Sequence, residues 1–175
     1  MGLHIIIDGY NLIRQSEELG PIDRRDIQDG REALLELLVT YRKFRKHRIT
    51  VVFDAMNSPA FAQKRDRHRG IDVIYSASGE TADTVIKRLA AVEREKALVV
   101  SSDREVQNTA SARGCATIGS PEFGARLMMA GETEGSMGAG EDESGGGWVP
   151  TTRKKGPRRR LPKQKRRDRL KIRKL

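Results

Sequence analysis

Cysteine is almost missing from this chain. Its single cysteine, Cys115, excludes an internal disulfide framework, and a reducing, cytoplasmic setting is the expectation. Histidine is nearly as scarce: His4, His47 and His68 are not paired at ligand spacing, so an H-E-x-x-H zinc centre is excluded. Long apolar runs are lacking too. "HIII" falls far short of the roughly 18–20 residues that a membrane-spanning helix needs, and the start lacks the basic residues, apolar stretch and small-residue cleavage site of a secretory leader. A soluble protein with no membrane partner is expected.

What the chain does have is charge, unevenly divided. From residue 153 onward fourteen lysines and arginines face one acid, Asp168, a charge of +13 that leaves −3 for residues 1–152. Just before this run, "GETEGSMGAGEDESGGG" (131–147) combines glycine, serine and acids with almost nothing to bury, the composition of a flexible linker. The expected organisation is a domain over residues 1–130, a linker over 131–147 and a basic, disordered tail over 148–175. Such a tail gains sequence-independent affinity for RNA by releasing counterions. Trp148 lies between linker and tail, either to stack on a base or simply exposed.

Within residues 1–130, β-rich runs occur at "LHIIID", "ITVVFD", "IDVIYSA", "ALVVSSD" and "CATIG", each the pattern of a strand covered on both faces. Between them, Ile27, Leu34, Leu37, Leu38 and Tyr41, and then Val85, Ile86, Leu89 and Ala90, recur at helical spacing. Alternating strands and helices imply an α/β domain: a mostly parallel, five-stranded sheet with helices on both faces.

In such a sheet the strands end along one edge, where ligands bind near the switch in strand order. Asp8, Asp54 and Asp103 each follow a strand, and Asp83 opens the helix after the third. Taken singly, each has a plain structural account. Asp8 can make an Asx-turn before Gly9, Asp54 can end a strand, and Asp83 and Asp103 suit the first turns of helices. Ser102 with Glu105 reads as a capping box, and Thr81 as an N-cap. Jointly, four carboxylates at one edge repel one another unless a cation compensates, and Mg²⁺ or Mn²⁺ is the natural choice for such oxygen donors. Phosphodiester hydrolysis fits a metal on such an edge. There is no G-x-x-x-x-G-K-[ST] loop, G-x-S-x-G elbow or G-x-G-x-x-G fingerprint. A dehalogenase-type phosphatase would want an aspartate where Tyr10 stands.

"IIIDGYNLI", "VVFDA", "GETADTVI" and "VVSSDREVQ" together resemble the NYN domain family, in its YacP-like branch, a group of PIN-like metal-dependent ribonucleases. The resemblance covers roughly residues 3–130. It implies metal-binding carboxylates at Asp8, Asp54, Asp83 and Asp103, with Asp8, Asp83 and Asp103 catalytic, Asn11 a polar neighbour touching substrate, and Glu80 a further candidate. Because the branch includes a ribosome-dependent messenger RNA endonuclease, it also implies translation-linked cleavage of mRNA.

The segment "QKRDRHRG" (63–70) is either a solvated loop or a source of phosphate contacts from Lys64, Arg65, Arg67 and Arg69. The basic tail is expected to engage rRNA or the ribosome. Two functions remain open at this point: a metal-dependent endoribonuclease, and a noncatalytic RNA- or ribosome-binding protein on the same fold.

Overall fold

Ile5, Ile6 and Ile7 have no exposed surface, and because successive strand residues face opposite ways they fill two different cores. Ile5 and Ile7 join Leu34, Leu38, Phe53 and Phe123 on one side, while Ile6 joins Val52, Val85, Ile86 and Val106 on the other. This double coverage explains the continuous apolar runs of the strands. A computed structural model describes residues 2–55, 64–135, 163–173 and 175. In chain order its elements are β1 (His4–Asp8), α1 (Gly9–Gln15), α2 (Leu19–Arg25), α3 (Ile27–Phe44), β2 (Arg48–Phe53), β3 (Lys64–His68), β4 (Ile71–Tyr75), α4 (Ala82–Glu93), a 3-10 turn (Arg94–Lys96), β5 (Ala97–Val100), α5 (Arg104–Ala112), β6 (Ala116–Ile118), α6 (Ser120–Gly135) and α7 (Lys163–Ile172).

The strand order is β3-β4-β2-β1-β5-β6. All neighbours run parallel except β3 against β4. The chain therefore winds outward from β1 in one direction, then returns to β1's other side with β5. The switch in order lies between β1 and β5, and a crevice opens at their carboxyl ends. The α/β class and the mostly parallel sheet are as expected; the strand count is six rather than five.

The added strand is the basic segment read as a possible loop. Lys64 to Arg67 are exposed along β3, so the segment has no buried face and no hydrophobic alternation to betray it. Its turn into β4 is legible in hindsight: Arg69 (φ 44°) and Gly70 (φ 90°) both take positive φ, as a two-residue type I′ hairpin requires. A charged edge strand also discourages pairing with another chain.

The expected domain end and tail need correction as well. α6 continues past Ala130 to Gly135. Residues 163–173 and 175, expected to be disordered, instead form α7 and a terminal residue held against the domain. Leu175 is buried in the first core, the buried Tyr41 hydroxyl donates to its carbonyl at 3.0 Å, and Arg126 donates to the Ile172 carbonyl at 2.8 Å. Two apolar residues spaced within a charge run were enough to anchor it. The linker from 136 onward, Trp148 and the first part of the basic run lie outside the described residues. Among the described residues, no helix is long and apolar enough to cross a membrane.

Candidate active site

Asp8 ends β1 and caps α1. Its Oδ1 accepts from the Asn11 backbone N–H at 3.2 Å, which is the turn role open to it from sequence. The glycine after it has a different cause than a turn: a Cβ on Gly9 would collide with the Phe53 ring. Gly9 thus lets α1 start directly over β2. Asp8 is only 7% exposed. Burial pushes its carboxyl up to about 6, and the charges of Asp83 and Asp54 push the same way, against the hydrogen bonds from Asn11 and Ser101.

The other three aspartates come from neighbouring strand ends. Asp54 follows β2 and accepts the Ala82 N–H at 2.5 Å, fixing the start of α4. Thr81 caps that helix as expected, accepting from Thr84 N–H at 3.3 Å. Asp83 lies in its first turn, and its carboxyl is raised by partial burial, then by the charge of Asp103, with Asp54 and Glu105 adding to the effect and Lys87 opposing it. Asp103 itself is the N-cap of α5, accepting from Glu105 N–H at 2.7 Å and Val106 N–H at 3.0 Å. The capping box expected from Ser102 and Glu105 is therefore not formed; Asp103 caps the helix alone, and its own N–H goes to Ser101. Glu105 turns instead to Lys87, 2.5 Å away.

The four aspartates thus gather at one edge, close enough to feel one another's charge. Among the described residues no three acidic, imidazole or thiol groups converge tightly enough to chelate one ion between them. That arrangement still fits a hard cation of the Mg²⁺ kind, which keeps most of its waters and takes one or two carboxylates. Asp8, whose carboxylate is disfavoured by burial and then by like charge, is the group such a cation would relieve most.

Asn11 is brought into the site, but its carboxamide oxygen is already taken. It accepts from Ser102 N–H at 2.9 Å, Ser120 Oγ at 2.7 Å and Gln15 Nε2 at 3.4 Å, so only its amide nitrogen is left to meet a substrate. Ser101 and Ser120, which sequence reasoning passed over, complete this mesh with Ser102, which it read only as a cap. Ser101 Oγ donates to Asp8 Oδ2 at 3.2 Å and accepts the Asp103 N–H at 3.1 Å. Ser102 Oγ accepts Ser120 N–H at 3.1 Å. The signal was present in "VVSSD": two hydroxyls closing a buried strand have no reason to be there unless the strand end is polar.

Glu80 is spoken for, at 2.7 Å from Arg88 and accepting Ala77 N–H at 3.4 Å. The basic set of β3 is split by the sheet register. Lys64 pairs with Tyr75 and Arg65 with Ile74 at the carboxyl end of β4, but Arg67 pairs with Asp72 near its start. Arg69 lies beyond that, bonded to Glu36 at 2.7 Å. Lys64 and Arg65 therefore share the acidic edge, and Arg67 and Arg69 do not.

Two further cations do share it. Arg31 lies 5.8 Å from the ring centroids of both Tyr10 and Tyr75, Arg14 lies 5.2 Å from that of Tyr10, and Lys64 lies 5.8 Å from that of Tyr75. The rings are themselves packed through Phe53, at 5.2 Å from Tyr10 and 5.9 Å from Tyr75. Aromatic and cationic groups thus flank the carboxylates where α1 and α3 meet β2 and β4.

A doubly wound domain with an acidic crevice at its switch point and cations beside it has the makings of a phosphate-ester site. The YacP-like NYN domain family model matches residues 5–170, and the chain belongs to that family. Its match therefore extends into α7, beyond the span of the sequence resemblance. A protein named only as uncharacterised YacP, from Bacillus subtilis strain 168, is 31% identical over 86 residues, 49% of this chain and 50% of the relative. The aligned part thus spans about half of that relative. Crystal structures of Rae1 (YacP) from Bacillus subtilis superpose with a TM-score of 0.64: one at 25% identity over 77% of this chain and 78% of the other, and a mutant form at 24% identity over 75% and 78%.

Proposed function

We propose that this protein is a metal-dependent endoribonuclease that hydrolyses RNA phosphodiester bonds. The observation that carries this is the electrostatics of the switch-point crevice: Asp8 is pushed up to about 6 by burial with Asp83 and Asp54 adding their charge, a cost that a bound cation would remove. Asp8 and Asp83 are the residues that would hold Mg²⁺ or Mn²⁺. Bound there, the ion would supply an activated water and a counter-charge for the transition state. Asp54 and Asp103 add negative field while holding α4 and α5 by their first turns, so their loss would move the helices as well as the charge. Ser101 keeps the Asp8 carboxylate oriented. Arg14, Arg31 and Lys64 suit the phosphates flanking the scissile one, and the Asn11 amide suits a substrate oxygen. Messenger RNA is the substrate that fits the family resemblance, in the cytoplasm and in association with the ribosome.

A second reading has its own observation. Asp8, Asp54 and Asp103 all accept backbone N–H groups, which would suffice in an RNA-binding protein without catalysis. One experiment separates them: cleavage of RNA in translating extract and of free RNA, with Mg²⁺, Mn²⁺ or EDTA, by the parent chain and by Asp83→Asn, whose carboxylate makes no helix cap. Metal-dependent cleavage lost in Asp83→Asn supports the enzyme. RNA binding without cleavage under every condition supports the alternative.

A further inference from the structure

The carboxylates use only the edge where the parallel strands end. The opposite edge holds two cationic cavities. One, of about 570 Å³, lies where α3 ends and β2 and β4 begin; Arg42, Lys46, Arg48 and Arg67 line it beside one acid, Asp72. The other, of about 800 Å³, lies where the 3-10 turn enters β5 and α5 gives way to β6; Arg94, Arg113, Arg167 and Lys171 line it beside Glu95 and Asp168. Half of the cations named for the second come from α7, so the docked helix completes a surface that the rest of the domain only begins.

The geometry of the sheet sets the spacing. The strand ends next to the two cavities, β4 and β2 for one and β5 and β6 for the other, are centred three strand intervals apart, or about 14 Å at 4.8 Å per interval. The first draws Arg48, Arg67 and Asp72 from strands, and the second is framed by the 3-10 turn, the end of α5 and α7. The cations there are weakly held: Arg48 lies 3.3 Å from Asp72 and 3.4 Å from Glu93, Arg67 lies 3.7 Å from Asp72, and Arg167 lies 2.8 Å from Glu95. Exposed pairs of this kind contribute under about 1 kcal/mol, so a phosphate can replace the carboxylate at little cost. Among the described residues, neither cavity is lined by phenylalanine, tyrosine or tryptophan. Unpaired bases are held by stacking on aromatic rings, whereas duplex RNA is recognised by its shape and its phosphates.

We propose that this edge docks the sugar–phosphate backbone of folded, double-helical RNA, on the side of the sheet remote from the carboxylates. The inference rests on the reading of the chain as an RNA-acting protein, but not on cleavage. The parent chain would thus hold a structured RNA at one end of its strands and present a separate strand to the other.

The test is a salt titration of affinity for an RNA hairpin, and for a single strand of equal length, in EDTA so that nothing is cut. The full-length chain is compared with Lys46→Gln/Arg67→Gln in one cavity, with Arg113→Gln/Lys171→Gln in the other, and with Arg24→Gln/Arg25→Gln on α2, which lines neither. For the hairpin, each edge pair should lower the slope of log affinity against log salt by about 1.5, at roughly 0.7–0.9 for every phosphate that is no longer neutralised, and the α2 pair by well under half of that. Equal flattening by all three pairs, or weakening by the edge pairs confined to the single strand, would overturn the docking face. Asp83→Asn, run alongside, should bind the hairpin with the parent slope; its cleavage separately tests the enzyme.

Discussion

Where the parallel strands end, Asp8, Asp54, Asp83 and Asp103 crowd together under serine and asparagine hydrogen bonds. Where the same strands begin, Arg42, Lys46, Arg48, Arg94 and Arg113 gather around shallow cavities. The first edge is partly buried and internally bonded; the second is open and loosely paired. Burial makes like charge expensive, so the acidic edge stores electrostatic strain that a ligand can release, while the basic edge, bathed in solvent, stores almost none. Strain belongs with chemistry, and exposed charge with docking.

The sharpest way to break this contrast is at the acidic edge. Asp8→Asn and Asp83→Asn should each lower RNA cleavage by on the order of 10²–10⁴-fold, measured in single-turnover assays with saturating metal, while circular dichroism shows the fold retained. Parent-level cleavage by both would remove the site.

The second prediction tests whether α7 belongs to the domain. Removing residues 163–175 withdraws buried Leu175 and takes away the acceptor of the hydroxyl of Tyr41, a residue 1% exposed in the full fold. Losing the apolar burial costs about 1.5–3 kcal/mol, and losing the hydroxyl's hydrogen bond about 0.5–1.5 kcal/mol more. A urea titration should show the midpoint falling; an unchanged midpoint would mean the helix contributes nothing to the fold.

The third prediction concerns pH. Asp8 is raised from 3.8 to about 6 in the folded state, so the folded state holds this proton more tightly than the unfolded one. Below about pH 4 both states are protonated and the group has no effect. As pH rises from about 4 to 6 the unfolded state ionises first, and stability declines by about 3 kcal/mol, because each tenfold difference in proton affinity is worth about 1.4 kcal/mol. Asp8→Asn should therefore be more stable than the parent at pH 7 in EDTA and no more stable at pH 4, by thermal unfolding. A stabilisation that persists at low pH would assign the gain to some other cause.

The smallest effect is expected at the open end of β3. Arg69→Ala breaks the exposed pair with Glu36 and should change stability by less than about 1 kcal/mol, with cleavage unaltered. A large loss of cleavage would bring Arg69 back to the substrate side, against the register of the sheet.

Much of this was readable in the residues. Strands covered on both faces write themselves as apolar runs, so β1, β2, β4, β5 and β6 were visible, and topology alone sent their terminal aspartates to one edge. β3 was hidden because an edge strand exposed along its length has no apolar period. α7 was hidden because, among the described residues, its apolar anchorage comes from Ile172 and Leu175 alone, within a run whose charge reads as unfolded. At the site, the carboxylates were visible one by one, but the hydrogen bonds of Ser101, Ser102 and Ser120 with Asp8 and Asn11 join residues up to 109 apart, and pairing at that range leaves no local signature. The division of Lys64 and Arg65 from Arg67 and Arg69 needed the antiparallel register.

The bond from Ser101 to Asp8 also sets a timetable. It spans 93 residues, and the strand that carries Ser101 to its place, β5, pairs with β1 only after β2, β3, β4 and α4 have been made. Long-range parallel pairings of this kind form late in folding. As the chain emerges during synthesis, the residues through the 3-10 turn can assemble four of the six strands, but Asp8 lacks its hydroxyl partner and Asp83 lacks the charge of Asp103. The acidic crevice is thus incomplete in the growing chain until synthesis has passed β5 and α5, so the candidate site is assembled late.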